Sequence, residues 1–281
     1  MGMRVRFWGV RGGIPSPGPE TVGVGGNTSC VEVQCGRTRI ILDAGTGIRH
    51  LGEQIVRQGD LQVHLLLSHY HWDHIQGLPF FAPSYVPSAN LHVFGAHTLV
   101  PVDEVLRHQM TDPVFPISFE NLLSRWRFEH VECGDRFRVG DATISAALLS
   151  HPGGVLAFRI EHAGRSVVYA TDTEQWPSPD PTLLEIADRA DLLIFDSQYT
   201  PDEYGRGAAG PRRGFGHSTY EIGCAIAHEA KAHRYVLFHH DPRRSDAQVA
   251  VLEQRARRLF EGAHAAKEGH VIELDALSSA A

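Results

Sequence analysis

The sequence predicts a layered α/β domain in which two mixed β-sheets are covered by helices. Three observations predict it. Short apolar runs of strand length recur along most of the chain, some alternating apolar and polar residues as a half-buried strand does. Helical spacing is confined to a few separated segments. The order shows neither strict βαβ alternation nor a repeat of about 20 to 50 residues. The 281 residues suffice for one large core. No low-complexity linker divides them, so residues 1–281 are read as a single domain.

In order, residues 4–10 read as a strand, and Gly12-Gly13-Ile14-Pro15-Ser16-Pro17-Gly18-Pro19 excludes regular structure. The loop continues through residues 23–26. Residues 30–34 and 39–42 read as strands, the second ending in Asp43-Ala44-Gly45. Residues 48–58 have helical spacing, and 61–67 form a mostly apolar strand. Between 78 and 125 the pattern is less regular, with a short strand at 91–94, a helix at about 99–109, and Phe80, Phe81, Tyr85, Phe115 and Phe119 read as packing residues. Strands then crowd together at 126–132, 136–139, 143–149, 155–161 and 166–171, separated by turns at Gly134-Asp135, Gly140-Asp141 and Gly164-Arg165. A helix at about 180–188 precedes a strand at 192–195, and residues 201–216 read as a Gly/Arg/Pro-rich loop. Residues 219–230 are helical, with Ser218 and Glu221 in a capping-box pattern. A strand at 235–238 and a helix at 245–261 follow.

The composition is that of an ordinary globular protein, 42% hydrophobic and 21% charged. A formal net charge of -7 gives no general attraction to nucleic acid, though a local basic groove is compatible with it. None of the four cysteines forms a C-x-x-C pair, which argues against a zinc ribbon or redox motif, and Cys30 and Cys35 read as buried reduced thiols. No secretory signal is visible, and no window approaches the roughly 20 apolar residues of a membrane span, so a cytoplasmic protein with no membrane partner is expected. The 18 histidines are the unusual feature, since histidine supplies metal ligands and proton shuttles.

Six consecutive residues carry the strongest signal: His69-Tyr70-His71-Trp72-Asp73-His74, directly after an apolar strand. In extended backbone, residues i and i+2 face the same side, so His69 and His71 present two imidazoles together. Asp73 and His74 follow where the chain turns and can address a second point close by. Imidazole with carboxylate suits zinc, and also manganese or iron. Further donors stand where other apolar strands stop: His151 after 143–149, Asp172 after 166–171, and His239 after 235–238. That placement fits a site on one rim of a sheet sandwich.

The run resembles the H-x-H-x-D-H signature of the metallo-β-lactamase superfamily, and His151, Asp172 and His239 stand in the order of its later motifs. The resemblance covers nearly the whole chain. It implies an α/β fold of the αββα type, two mixed β-sheets flanked by helices, with two divalent metal ions, zinc first and manganese or iron as substitutes. It further implies His69, His71 and His151 on one metal, Asp73, His74 and His239 on the other, and Asp172 bridging. His240 is the rival for His239. The segment Gly216-His217-Ser218-Thr219 is similar to that of ribonuclease Z and its phosphodiesterase relatives, and residues 190–196 resemble the family stretch that places an acidic partner, here Asp196, near that histidine. Phe7-Trp8-Gly9-Val10-Arg11-Gly12 and Gly25-Gly26-Asn27-Thr28-Ser29-Cys30 resemble the small-molecule branch near the phosphoribosyl cyclic phosphodiesterases. Only 20 residues separate His151 from Asp172, so the tRNA-gripping arm of ribonuclease Z is absent there, and no cysteine-rich structural zinc site is apparent.

These features imply a phosphodiesterase acting on a small or cyclic nucleotide-like ester through a metal-bridging hydroxide. Short RNA is a second substrate candidate. Asp73, His217 and Asp196 form the expected catalytic set, with His217 protonating the leaving oxygen and Asp196 fixing its protonation state. Asp43 could orient a metal-bound imidazole. Arg206, Arg212 and Arg213 could grip phosphate, and Asn27 could approach the substrate with its amide. The alternatives are a thioester or lactone hydrolase, or a non-catalytic ligand-binding protein. A homodimer is expected because relatives pair.

Overall fold

A computed structural model describes residues 2–96, 100–175, 178–206 and 212–276. Strand β1 (Met3–Gly9) pairs antiparallel with β2 (Cys30–Cys35), and β2 with β3 (Thr38–Leu42). Gly36, at φ +58°, makes the tight β2–β3 reversal. Helix α1 (Ile48–Gln58) then carries the chain back, so β4 (Gln62–Leu66) lies parallel to β3. The turn α2 (Trp72–Ile75) follows, and β5 (Asn90–Ala96), α3 (Val102–Gln109) and β6 (Arg125–Val131) extend the same parallel run.

The second sheet begins with the hairpin-linked strands β7 (Arg136–Val139), β8 (Ala142–Leu149), β9 (Val155–His162) and β10 (Arg165–Ala170). Helix α4 (Pro181–Ala187) leads to β11 (Leu192–Asp196), and α5 (Pro201–Arg206) and α6 (Tyr220–Glu229) lead to β12 (Tyr235–Phe238). Helix α7 (Asp246–Leu259) precedes β13 (Ala263–Ala265), and the chain crosses back as β14 (Val271–Leu274) beside β1. Among the described residues the sheets have seven strands each, ordered β14-β1-β2-β3-β4-β5-β6 and β13-β12-β11-β10-β9-β8-β7.

The apolar runs of β3, β11 and β12 are buried on both faces, and their alternation sorts side chains between two kinds of core. Ile40 and Leu42 face inward with Phe158, Tyr169, Ile194 and Phe238, filling the space between the sheets. Ile41, between them in sequence, faces outward to Ile48, Leu51 and Ile55 of α1 and Val102 and Leu106 of α3. Leu193 and Phe195 likewise pack outward with Leu183, Cys224 and Leu252 from α4, α6 and α7. Helices therefore cover both outer faces, and the architecture is the αββα sandwich. Among the described residues no helix is long and apolar enough to cross a membrane. Cys30, Cys35 and Cys224 are buried free thiols, while Cys133 is exposed.

Several boundaries differ from expectation. Residues 201–206, read as loop, form α5, and residues 207–211 of that expected loop lie outside the described residues. The cap of α6 is Thr219, whose side chain accepts from Ile222 N–H, whereas the Ser218 hydroxyl donates to the Thr173 carbonyl. The helix expected at about 99–109 is described from Val102, with residue 99 outside the described residues. Strands β13 and β14 carry little pattern of their own and exist through pairing with β12 and β1.

Candidate metal centre

The topology gathers strand ends. Strands β10, β11 and β12 are parallel, and β8 runs with them because β9 is antiparallel to both neighbours. The residues just past β8, β10 and β12, namely His151, Asp172 and His239, therefore emerge at one end, with Asp196 closing β11. In the other sheet, Asp43 and the run from His69 follow the parallel β3 and β4. Asp43, Asp172 and His239 adopt left-handed backbone at φ 60°, 52° and 59°. Aspartate and histidine tolerate that region better than most residues, at a cost of about 1–3 kcal/mol each. Each turns its strand abruptly and aims its side chain across the sandwich rim.

Three groups of donors result, each with ligand atoms within 4.8 Å of one another: His69, His71 and His151; Asp73, His74, Asp172 and His239; and Asp172, Asp196, His217 and His239. The outer hydrogen bonds fix which imidazole nitrogen is free. Asp43 accepts from Ser68 N–H (2.7 Å), Ser68 Oγ (2.8 Å), His74 Nδ1 (2.7 Å) and the Tyr169 hydroxyl (2.7 Å). Because the Ser68 hydroxyl donates to Asp43, it accepts from His69 Nδ1, 3.0 Å away. His151 Nδ1 donates to the Gly216 carbonyl (2.8 Å) and His239 Nδ1 to Gln198 Oε1 (2.9 Å).

With these four Nδ1 protons committed, four Nε2 lone pairs point into one small space. There they meet other lone pairs. His74 Nε2 lies 3.3 Å from His239 Nε2 and 3.3 Å from carboxylate oxygens of both Asp73 and Asp172. His239 Nε2 lies 3.0 Å from Asp73 and 3.2 Å from Asp172. His151 Nε2 faces His71 Nδ1 at 2.9 Å, and the buried His69 Nε2 has no hydrogen-bond partner. With the imidazoles neutral, protein groups alone leave this arrangement unsatisfied. A divalent cation among the donors would satisfy it, and the N/O donor set suits zinc, manganese or iron.

The electrostatics agree. Burial pushes the titration of His69, His71 and His151 below the usual histidine range. Burial opposes the charged form of His74 too, but Asp172, Asp73 and Asp43 outweigh it and raise its pKa. Burial likewise opposes ionisation of Asp73 and Asp172, and the surrounding histidines hold both well below the usual carboxylate range. A cation here would take over the role of a proton on His74 Nε2, leaving its Nδ1 bond to Asp43 intact. His217, against the resistance of burial, is raised to about 9 by Asp196, Asp172 and Asp73. Its Nδ1 lies 2.8 Å from Asp196 Oδ2, and its ring stacks 5.1 Å from that of His239.

The remaining expected residues are distributed unevenly. His240 turns away: its Nε2 lies 3.0 Å from the Ala266 carbonyl, burial pushes its pKa down to about 3, and it belongs to none of the donor groups. The amide of Asn27 donates to Glu268 (3.0 Å) rather than to a donor-group residue. The Arg212 guanidinium lies over Tyr199 (5.3 Å), whose ring meets His217 edge-on (5.7 Å). Arg213 lies over Tyr204 (5.9 Å), away from that contact. Arg206 ends α5, and its side chain is outside the described residues. Of the aromatic group, Phe81 and Phe119 are buried, but Phe80 is 60% exposed against Phe115.

Sequence reasoning missed Ser68, Tyr169, Gln198 and the backbone of Gly13, whose N–H donates to Asp73 Oδ2 at 2.6 Å. Ser68 adjoins His69 and could have been noticed. Tyr169 reads only as an apolar strand residue, and nothing local marks its hydroxyl. Gly12 has a packing signature visible only in three dimensions, since a side chain there would collide with the His239 ring.

The paired sheets, the covering helices and the rim of imidazoles and carboxylates define a metallo-β-lactamase fold. The chain belongs to the β-lactamase superfamily: residues 38–240 match the family described as "Beta-lactamase superfamily domain". Ribonuclease Z of Thermoplasma acidophilum is 23% identical over 95% of this chain and 94% of its own. Among solved structures, the metallo-β-lactamase fold protein YhfI from Bacillus subtilis superimposes with a TM-score of 0.73 at 23% identity, covering 97% of this chain and 99% of that one. A diphosphatase of the PhnP family does so with a TM-score of 0.71 at 19% identity, covering 98% of both chains.

Proposed function

We propose that the chain is a binuclear metal-dependent hydrolase that cleaves a small or cyclic nucleotide-like phosphodiester. His69, His71 and His151 would hold one cation, Asp73, His74 and His239 the other, with Asp172 between them. When bound, such a pair supplies an activated water and neutralises charge on the phosphoryl oxygens. Asp43 keeps His74 in the tautomer that leaves Nε2 free, and Ser68, Gly216 and Gln198 do the same for His69, His151 and His239.

The observation that carries the phosphodiester reading is the His217–Asp196 pair beside the donor groups. With Nδ1 bonded to the buried carboxylate of Asp196 at 2.8 Å, the imidazolium is favoured and its Nε2–H can protonate a departing alkoxide. A thiolate leaves without that help, so such a pair has less to do in a thioesterase. Arg212, over the Tyr199 ring that meets His217, is the candidate to meet a phosphate. The small-substrate reading rests on the direct hairpin between β9 and β10, which leaves no room for an inserted RNA-gripping arm between His151 and Asp172.

The test compares turnover of a phosphodiester, a thioester and a lactone by the same metal-loaded sample, with His217→Ala alongside. Phosphodiester turnover that falls in the variant, most steeply for poor leaving groups, is the expected result. Turnover of the thioester or lactone alone would overturn the reading.

A further inference from the structure

Glu174 lies two residues past Asp172 and belongs to none of the donor groups. Its own position is fixed beside His151, because its N–H donates to the Ser150 carbonyl at 2.9 Å. Its carboxylate gathers one loop. Gly214 N–H reaches both oxygens at 2.9 Å, Gly216 N–H reaches Oε2 at 3.0 Å, and the Tyr204 hydroxyl of α5 reaches Oε1 at 2.6 Å.

The glycines explain how one carboxylate collects two backbone donors. Gly214 and Gly216 have φ +84° and +83°, a left-handed geometry that turns nearby N–H groups toward an anion. The Gly216 peptide is then held at both ends: its N–H by Glu174 and its carbonyl by His151 Nδ1 at 2.8 Å. A side chain at residue 216 would collide with the His151 ring, so the contact is as close as backbone permits. His217 follows directly. A single carboxylate thus connects the end of β10 to the backbone that sets the His151 tautomer and starts the His217 segment.

We propose that Glu174 is a positioning residue of the metal centre, holding Gly216 so that its carbonyl orients His151 and holding the segment that presents His217. The inference rests on the binuclear reading above and predicts an asymmetric effect. Only the cation held by His69, His71 and His151 should loosen when Glu174 is lost. Outer partners of metal-binding histidines are worth about 10- to 100-fold in metal affinity, and Glu174 acts through one such partner, so a loss of about tenfold at that one site is expected.

The experiment is a competition titration of the metal-free full chain with Zn2+ against a chromophoric chelator, for wild type, Glu174→Ala, Glu174→Gln and Tyr204→Phe, with unfolding temperatures measured in parallel. Wild type should bind two ions. Glu174→Ala should weaken one by about tenfold and leave the other within about twofold. Glu174→Gln, which keeps one acceptor oxygen, should fall between, and Tyr204→Phe, which leaves Gly216 untouched, should resemble wild type. Wild type binding fewer than two ions would sink the binuclear reading itself. Two unchanged affinities in both Glu174 variants, or an equal fall in both together with a lowered unfolding temperature, would overturn the positioning role alone.

Discussion

The two donor groups that share the rim differ in what surrounds them. His69, His71 and His151 offer three imidazoles and no carboxylate, and His71 is exposed. Asp73, His74, Asp172 and His239 are all buried and bring two carboxylates, backed by Asp43 with its four hydrogen bonds. A cation in the second group would have its charge neutralised inside low dielectric and its ligands held by buried partners. A cation in the first would have three neutral imidazoles and a share in Asp172, with His151 held by one loop peptide, that of Gly216. The difference predicts an order of loss: the exposed position exchanges first, and the buried one is tied to the stability of the fold.

The largest effect should come from Asp172→Ala, which removes the residue that approaches both groups. It lies 3.7 Å from His69 and 3.3 Å from His74. Several kcal/mol of charge stabilisation are at stake, so turnover should fall on the order of 10³-fold or more, as steady-state kinetics will measure. Next comes His217→Ala, expected to cost about 10²- to 10⁴-fold with poor leaving groups while leaving metal content unchanged. A loss of metal in that variant would instead assign His217 to the third donor group, with Asp172, Asp196 and His239. Asp43→Asn should sharpen the comparison from the buried side, weakening the second group's cation by about 10- to 100-fold in a chelator titration. Removing metal altogether should lower the unfolding temperature, because the cations bind the folded chain in preference to the unfolded one.

The smallest effect lies away from the rim. His64 and His92 face each other across β4 and β5 with rings 5.9 Å apart. Burial, then the charge of His92, lowers the His64 pKa; burial, then Arg127, lowers that of His92. The unfolded chain binds these protons near the ordinary histidine value of about 6.5, and the folded chain does not. Their contribution to stability is therefore present above that pH and lost as pH falls below it. His64→Val should make the fall in unfolding temperature between pH 7 and pH 5 shallower than in wild type.

The same contrast governs what was legible in the sequence. The run from His69 to His74 could be read directly, because four donors crowded into six residues after an apolar strand serve neither packing nor a turn as well as they serve a metal. His151, Asp172 and His239 could be read because each interrupts an apolar strand at its end. The outer partners could not. Tyr169 occupies an ordinary inward-facing strand position, and only the facing of the two sheets brings its hydroxyl to Asp43. Glu174 gains its role from two left-handed glycines forty and more residues later. Strands β13 and β14 and the Thr219 cap were likewise settled by tertiary pairing and by competition from the Thr173 carbonyl for Ser218. Donors declare themselves by residue type, whereas the groups that hold donors in place are recognised by where the chain brings them.

One measurement tests the central claim most directly: hydrolysis of bis(p-nitrophenyl) phosphate with metal content determined on the same sample, and Asp172→Ala as control. The account predicts turnover with about two metal ions per chain, lost in the variant. Turnover that survives in Asp172→Ala, or in wild type stripped of metal, would contradict it.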